Sequence, residues 1–115
     1  DDRGYQAIEL EPAGVAMKAT RLDPSHPWAK WAIDSVGRTS GKDVAVIPNL
    51  GGSLPNDVFA TVLGLPTIWV PHSYAGCSQH APNEHILAST CREALQIMTG
   101  LWWDLGTGNT PKDPA

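Results

Sequence analysis

The chain has 115 residues, 42% of them hydrophobic, with a formal net charge of −4. This is enough apolar material for one folded domain and argues against a chain disordered throughout. The 8 Lys and Arg are outnumbered by 12 Asp and Glu and are scattered, which argues against nucleic-acid binding and against a steering patch.

Residues 5–10 alternate loosely and read as a strand, broken by Pro12 and Gly14. Residues 15–22 form a second extended stretch, with Val15, Met17 and Ala19 on one side. Asp23-Pro24 marks a boundary, because a residue before proline avoids the α region. A helix is expected next, capped by Ser25 or His26, with Pro27 at its first position. Trp28, Trp31, Ala32 and Val36 fall on one face, and Gly37 is the expected end.

Residues 43–47 are a short apolar run of the kind found in strands buried on both faces. They lead into a loop, then a second helix with Val58, Phe59, Val62 and Leu63 inward and Gly64 as its stop. Residues 66–70 read as another buried strand, ended by Pro71. The loop from residue 71 to 82 is small and polar, with His72 and His80. In the last helix, Asn83 is the expected cap and Glu84 lies in the first turn. Leu87, Cys91, Leu95, Met98, Trp102 and Leu105 are its expected inner stripe, and Gly106 its end. Residues 107–115 read as a flexible tail.

Strands alternating with helices predict an α/β fold: a small, mainly parallel sheet covered by helices, with right-handed crossovers. Two buried strands make a thin sheet whose edges and faces need further cover. The chain opens Asp1-Asp2-Arg3-Gly4 without an initiator Met, so it is expected to be a piece of something longer. It shows no signal peptide and no run of about 20 apolar residues that would span a bilayer. Cys77 and Cys91 are its two cysteines, too few for a disulfide scaffold. Reduced thiols in a cytoplasmic protein are the expectation, although a bond between the two is geometrically conceivable.

Chemistry in open α/β sheets gathers at the carboxyl ends of strands, here the loops 49–57 and 71–84. Gly51 and Gly52 allow close backbone approach to a ligand, and with the Ser53 hydroxyl can hold a carboxylate. They fit an ordinary tight turn equally well. His80 is a candidate zinc ligand on a strand-end loop, with Glu84 placed to orient it. A solvated loop histidine next to a first-turn glutamate is the plainer alternative. Cys77 and His80 do not make a nucleophile–base pair on sequence grounds, and there is no phosphate-binding or dinucleotide-binding glycine motif.

In order and spacing, Leu50-Gly51-Gly52-Ser53-Leu54-Pro55, Leu63-Gly64-Leu65-Pro66-Thr67 and His80-Ala81-Pro82-Asn83-Glu84 resemble the end of the aminoacylase, carnosinase and succinyl-diaminopimelate desuccinylase family of zinc peptidases. The resemblance covers roughly residues 20–106. It implies that residues 1–22 are the last strand of a lid, or dimerisation, domain with its return linker. It implies that residues 23–106 are the C-terminal part of a zinc-exopeptidase-like catalytic domain. His80 matches the family's final metal ligand, Asn83 and Glu84 its supporting groups, and Gly51, Gly52 and Ser53 its substrate loop.

The implied activity is hydrolysis of amide or peptide bonds in dipeptides or N-acyl amino acids. Two zinc ions share a bridging water, and a glutamate outside this chain serves as general base. One histidine cannot hold a catalytic zinc, which takes about three protein ligands. The resemblance therefore implies that the N-terminal half of the same protein is a necessary partner, that a homodimer is possible, and that the chain alone is inactive and metal-free. The alternative is a non-enzymatic α/β module that presents the Gly51-Gly52-Ser53 loop to an anion.

Overall fold

Asp23 organises the entry to the first helix. Its Oδ1 accepts hydrogen bonds from the Ser25 N–H and the Ser25 hydroxyl, both at 2.8 Å. Its carbonyl accepts from the His26 N–H at 2.9 Å. The Ser25 N–H first, and then its hydroxyl, hold the Asp23 carboxyl below the ordinary aspartate value. Helix α1, Pro27–Ser40, follows directly. His26 is the cap: its Nδ1 accepts from the Trp28 N–H at 3.2 Å, satisfying a donor that has no partner inside the helix. Pro27 sits at the start, where its missing N–H costs nothing.

The helix runs past Gly37, its expected end, to Gly41. There the backbone turns left-handed (φ 66°) and its N–H reaches the Gly37 carbonyl at 2.9 Å. Gly37 lies inside the helix, where a Cβ would meet Val44 Cγ2 at an ordinary contact distance of 3.6 Å.

The computed structural model describes residues 11, 14, 16–52 and 54–112. The expected strand at residues 5–10 and the side chain of Ser53 lie outside them. The second helix, α2, is Ala88–Gly106. Between the helices lies a single π-helical turn, Val58–Val62, closed by the Leu63 N–H on the Val58 carbonyl at 3.1 Å. Gly64 then reverses the chain at φ 66°, close to where the sequence puts a helix stop.

The expected α/β fold is not found: no strand forms among the described residues, and so no parallel sheet. Residues 43–47 and 66–70 are extended but unpaired, and Ile47 is 64% exposed. The physical reason lies in the backbone. A helix satisfies its N–H and C=O groups within its own segment, whereas a strand must find a neighbour. Residues 16–22, 43–47 and 66–70 have strand-like composition without ladder partners. Several of their apolar side chains are therefore exposed, among them Met17, Val46, Ile47, Ile68 and Trp69.

What interior exists is the crossing of α1 and α2. Ala32 and Ser35 of α1 and Ile97 of α2 are buried, and Ala32 belongs to the expected inner face. Trp28 and Trp31 of that face are half-buried and meet edge to face, with centroids 5.4 Å apart. Trp31 Nε1 donates to the Asn109 carbonyl at 3.0 Å, which ties the segment after α2 to α1. Arg38–Asp104 (2.7 Å) and Lys42–Glu93 (2.6 Å) staple the helices at their rim. The approach of the Ser35 hydroxyl, then the Arg38 guanidinium, holds Asp104 below the ordinary aspartate value. Ser35 Oγ stops short of bonding geometry and is left unsatisfied, so Arg38 supplies the directional contact.

The expected inner stripe of α2 is its exposed face. Leu95 and Trp102 are 64% and 70% exposed, and Leu87, Cys91, Met98 and Leu105 are also exposed. The face turned to α1 carries Glu93, Ile97, Gly100, Leu101 and Asp104. Gly100 explains the choice, because a Cβ there would sit 3.0 Å from Thr39 Cβ and closer still to the end of that side chain. Only a residue without a side chain lets the helices cross this closely. The same inversion holds for the π-helical turn, where Val58, Phe59, Val62 and Leu63 are all exposed. The surface totals 9536 Å², against about 6,100 Å² for a folded monomer of this mass.

Gly100→Ala tests the crossing. Helix propensity alone favours alanine by about 1 kcal/mol, but the forced separation of the helices costs about 1–3 kcal/mol. The expected result is a net loss of stability in denaturant unfolding followed by circular dichroism, partly restored by Thr39→Ala. A stabilised Gly100→Ala variant means the helices do not cross at this glycine.

Candidate functional site

The loop carrying His80 is closed on itself. The Cys77 N–H donates to the Tyr74 carbonyl at 3.0 Å, and the His85 N–H donates to the Cys77 carbonyl at 3.0 Å. Cys77 is 5% exposed and free, so it is the hub around which residues 74–85 turn. The Tyr74 hydroxyl lies 2.6 Å from His85 Nε2 across the mouth of the loop. Gly76 makes room for the tyrosine ring, since a Cβ there would come within 2.8 Å of Tyr74 Cε2. The result is a compact loop with its ends together.

Within it, three residues other than glycine have left-handed backbones: Ser78 (φ 57°), His80 (φ 62°) and Asn83 (φ 65°). A residue other than glycine holds this conformation at a cost of order 1–3 kcal/mol, with asparagine and histidine adopting it more readily than serine. Two turns hold them, Ala81 N–H to the Ser78 carbonyl at 2.9 Å and Glu84 N–H to the Ala81 carbonyl at 3.3 Å. Glu84 Oε2 reaches back to the His80 N–H at 3.4 Å. It therefore braces the backbone of His80 rather than its ring. Asn83 and Glu84 precede α2 instead of opening it. The helix starts at Ala88 with Leu87 as its cap residue, because the left-handed turn at Asn83 diverts the chain first.

The four histidines separate by what their rings do. His26 Nδ1 is occupied by the Trp28 N–H. His85 is occupied on both sides, with Nδ1 2.8 Å from the Asn83 carbonyl and Nε2 bonded to Tyr74. A carbonyl only accepts, so Nδ1 carries the proton, Nε2 accepts, and the tyrosine hydroxyl donates. The His80 ring is exposed and makes no hydrogen bond among the described residues. It is the histidine presented most openly for ligation, whereas His72 is half-buried. No three potential metal-binding side chains converge among the described residues.

Gly51 and Gly52 are exposed. A Cβ on Gly52 would meet the Trp69 indole at 3.0 Å, so the glycine loop rests against residues 66–70. Among the described residues no hydrogen bond joins this loop to the His80 loop. The Tyr74–His85 pair was not among the residues expected from sequence, and only the closed loop reveals it. A small cavity of about 200 Å³, lined in part by Arg21, His26, Leu65 and Thr67, contains none of the expected site residues. Cys91, unlike Cys77, is exposed and free. No helix among the described residues is long and apolar enough to cross a membrane. Compared with family models, curated proteins and solved structures, the chain matches none.

The two ring assignments are opposite and can be read directly. In nitrogen–proton correlation spectra at alkaline pH, His85 is expected in the Nδ1–H form and His26 in the Nε2–H form. Tyr74→Phe should leave the Nδ1–H form of His85 in place. An Nε2–H signal for His85 in the unaltered chain contradicts the loop closure.

Proposed function

We propose that this chain contributes one metal ligand, His80, to a metal-dependent hydrolase of amide or peptide bonds. The remaining ligands and the general base come from outside these 115 residues. The observation that carries the reading is the loop itself: an exposed imidazole with no competing hydrogen bond, on a strained left-handed backbone braced by Glu84. Strain of this kind collects where a side chain must be held in one place. The reaction class, with dipeptides or N-acyl amino acids as substrates, is taken from the resemblance of the ordered motifs to the aminoacylase, carnosinase and desuccinylase family. The sheet expected from the same resemblance forms no part of the proposal.

The roles divide by residue. His80 donates an imidazole nitrogen to the metal, and Glu84 fixes the backbone that carries it. Asn83 supplies the left-handed turn between that brace and α2. Gly51 and Gly52 offer exposed backbone for a substrate carboxylate, with Trp69 behind them. A metal bound there would polarise the scissile carbonyl and lower the pKa of its water. Those steps would require further ligands, which the proposal places outside these 115 residues. With two unpaired thiols, we place the protein in the cytoplasm.

The test uses zinc titration and hydrolysis of N-acyl amino acids and dipeptides. This chain alone should take up no stoichiometric zinc and hydrolyse nothing. A longer chain that also carries a His-x-Asp motif and a Glu-Glu pair should be active. In it, His80→Ala should lower activity more than about 100-fold, Glu84→Ala should lower it measurably while Glu84→Gln, whose amide oxygen still accepts from the His80 N–H, should lower it less, and His72→Ala should have little effect. Zinc-dependent activity in the 115-residue chain sinks the shared-site reading, and full activity in His80→Ala removes His80 as a ligand.

A further inference from the structure

The exposed face of α2 has a regularity of its own. Ala88, Cys91, Leu95, Met98, Trp102 and Leu105 follow one another at alternating steps of three and four. That is the 3.5-residue period of a helix-pairing seam rather than a random scatter of apolar residues. The seam runs about 25 Å along the helix at 1.5 Å per residue, and all six residues are exposed. It lies away from the face that meets α1, so a second helix can reach it without disturbing the crossing at Gly100.

The order of sizes selects the partner and its direction. Laid antiparallel on a copy of itself, the seam sets Trp102 against Cys91, Leu105 against Ala88, and Leu95 against Met98. Each large side chain meets a small one, and the two medium ones meet at the centre. A parallel pair would stack tryptophan on tryptophan and alanine on alanine, overfilling one layer and leaving a void in another. The flanks are permissive too. Arg92 is the one charged residue directly beside the seam, and in the antiparallel register it approaches Thr99 of the other copy rather than a like charge.

We infer that two copies of this chain associate through antiparallel α2 helices, two-fold symmetric about the Leu95–Met98 layers. This goes beyond the hydrolase reading and does not rest on it. The arrangement is isologous and closes at two copies.

Sedimentation equilibrium of the 115-residue chain should show a monomer–dimer equilibrium. Leu95→Asp or Met98→Asp should weaken it by at least about tenfold, with the helical circular dichroism unchanged because both residues are exposed. Register is tested in a Cys91→Ala background. An equimolar mixture of Leu95→Cys and Met98→Cys chains should crosslink on mild oxidation, and neither should do so alone. Crosslinking within either single variant means a parallel pair and overturns the register. A monomer at 100 µM or above, or a dimer indifferent to both Asp variants, overturns the proposal. So does open-ended aggregation through the other exposed apolar residues. A seam covered instead by another segment of a larger hydrolase would show as a lasting monomer here and as loss of binding to that segment in the Asp variants.

Discussion

The crossing of α1 and α2 depends on Gly100 having no side chain where Thr39 needs the space. With that close approach Ala32 and Ser35 of α1 and Ile97 of α2 are buried, and these few residues make up the interior of the helix pair. The rim contacts, Arg38 with Asp104 and Lys42 with Glu93, can form only because the axes are already near. Exposed ion pairs of this kind contribute at most about 1 kcal/mol each, so they orient the pair more than they hold it. A small-residue contact thus decides which side of α2 turns inward, and the larger apolar side chains are left outside.

The His80 loop obeys a different constraint. Its contacts are local, running from Tyr74 to His85, and its hub is the backbone of a buried cysteine. Its geometry does not draw on the helix crossing. This explains how a chain with so small an interior still presents one histidine in a defined and strained conformation. A local loop can fix the direction of one ligand. It cannot gather three, because convergence of ligands from distant segments requires the tertiary packing that the extended segments here do not achieve. The proposed division of the site between this chain and other residues follows from that difference.

Several features were legible in the sequence. Pro27 after His26 marked the start of α1, Gly64 a reversal, and Gly106 the end of α2. Each works through the covalent chemistry of one residue, so local sequence suffices. The stripe of Leu95, Met98 and Trp102 was equally real as a pattern, but its direction was misread. Periodicity shows that a face is apolar and says nothing of which neighbour covers it. The runs at 43–47 and 66–70 show the same gap, for strand composition does not create a ladder.

By itself, then, although it placed neither the end of α1 nor the start of α2, the sequence marked these two helices, the start of α1, the end of α2 and the reversal at Gly64. These depend on dihedral preferences, capping groups and hydrogen bonds that close within a few residues. The tertiary structure alone decided that α2 turns its Gly100 side to α1, that the apolar stripe faces outward, and that Glu84 braces the backbone of His80 rather than its ring. It also decided that Tyr74 and His85 close the loop. Those outcomes depend on which distant groups can approach within a few ångströms, and steric fit at that range is not written in the spacing of residues along a chain.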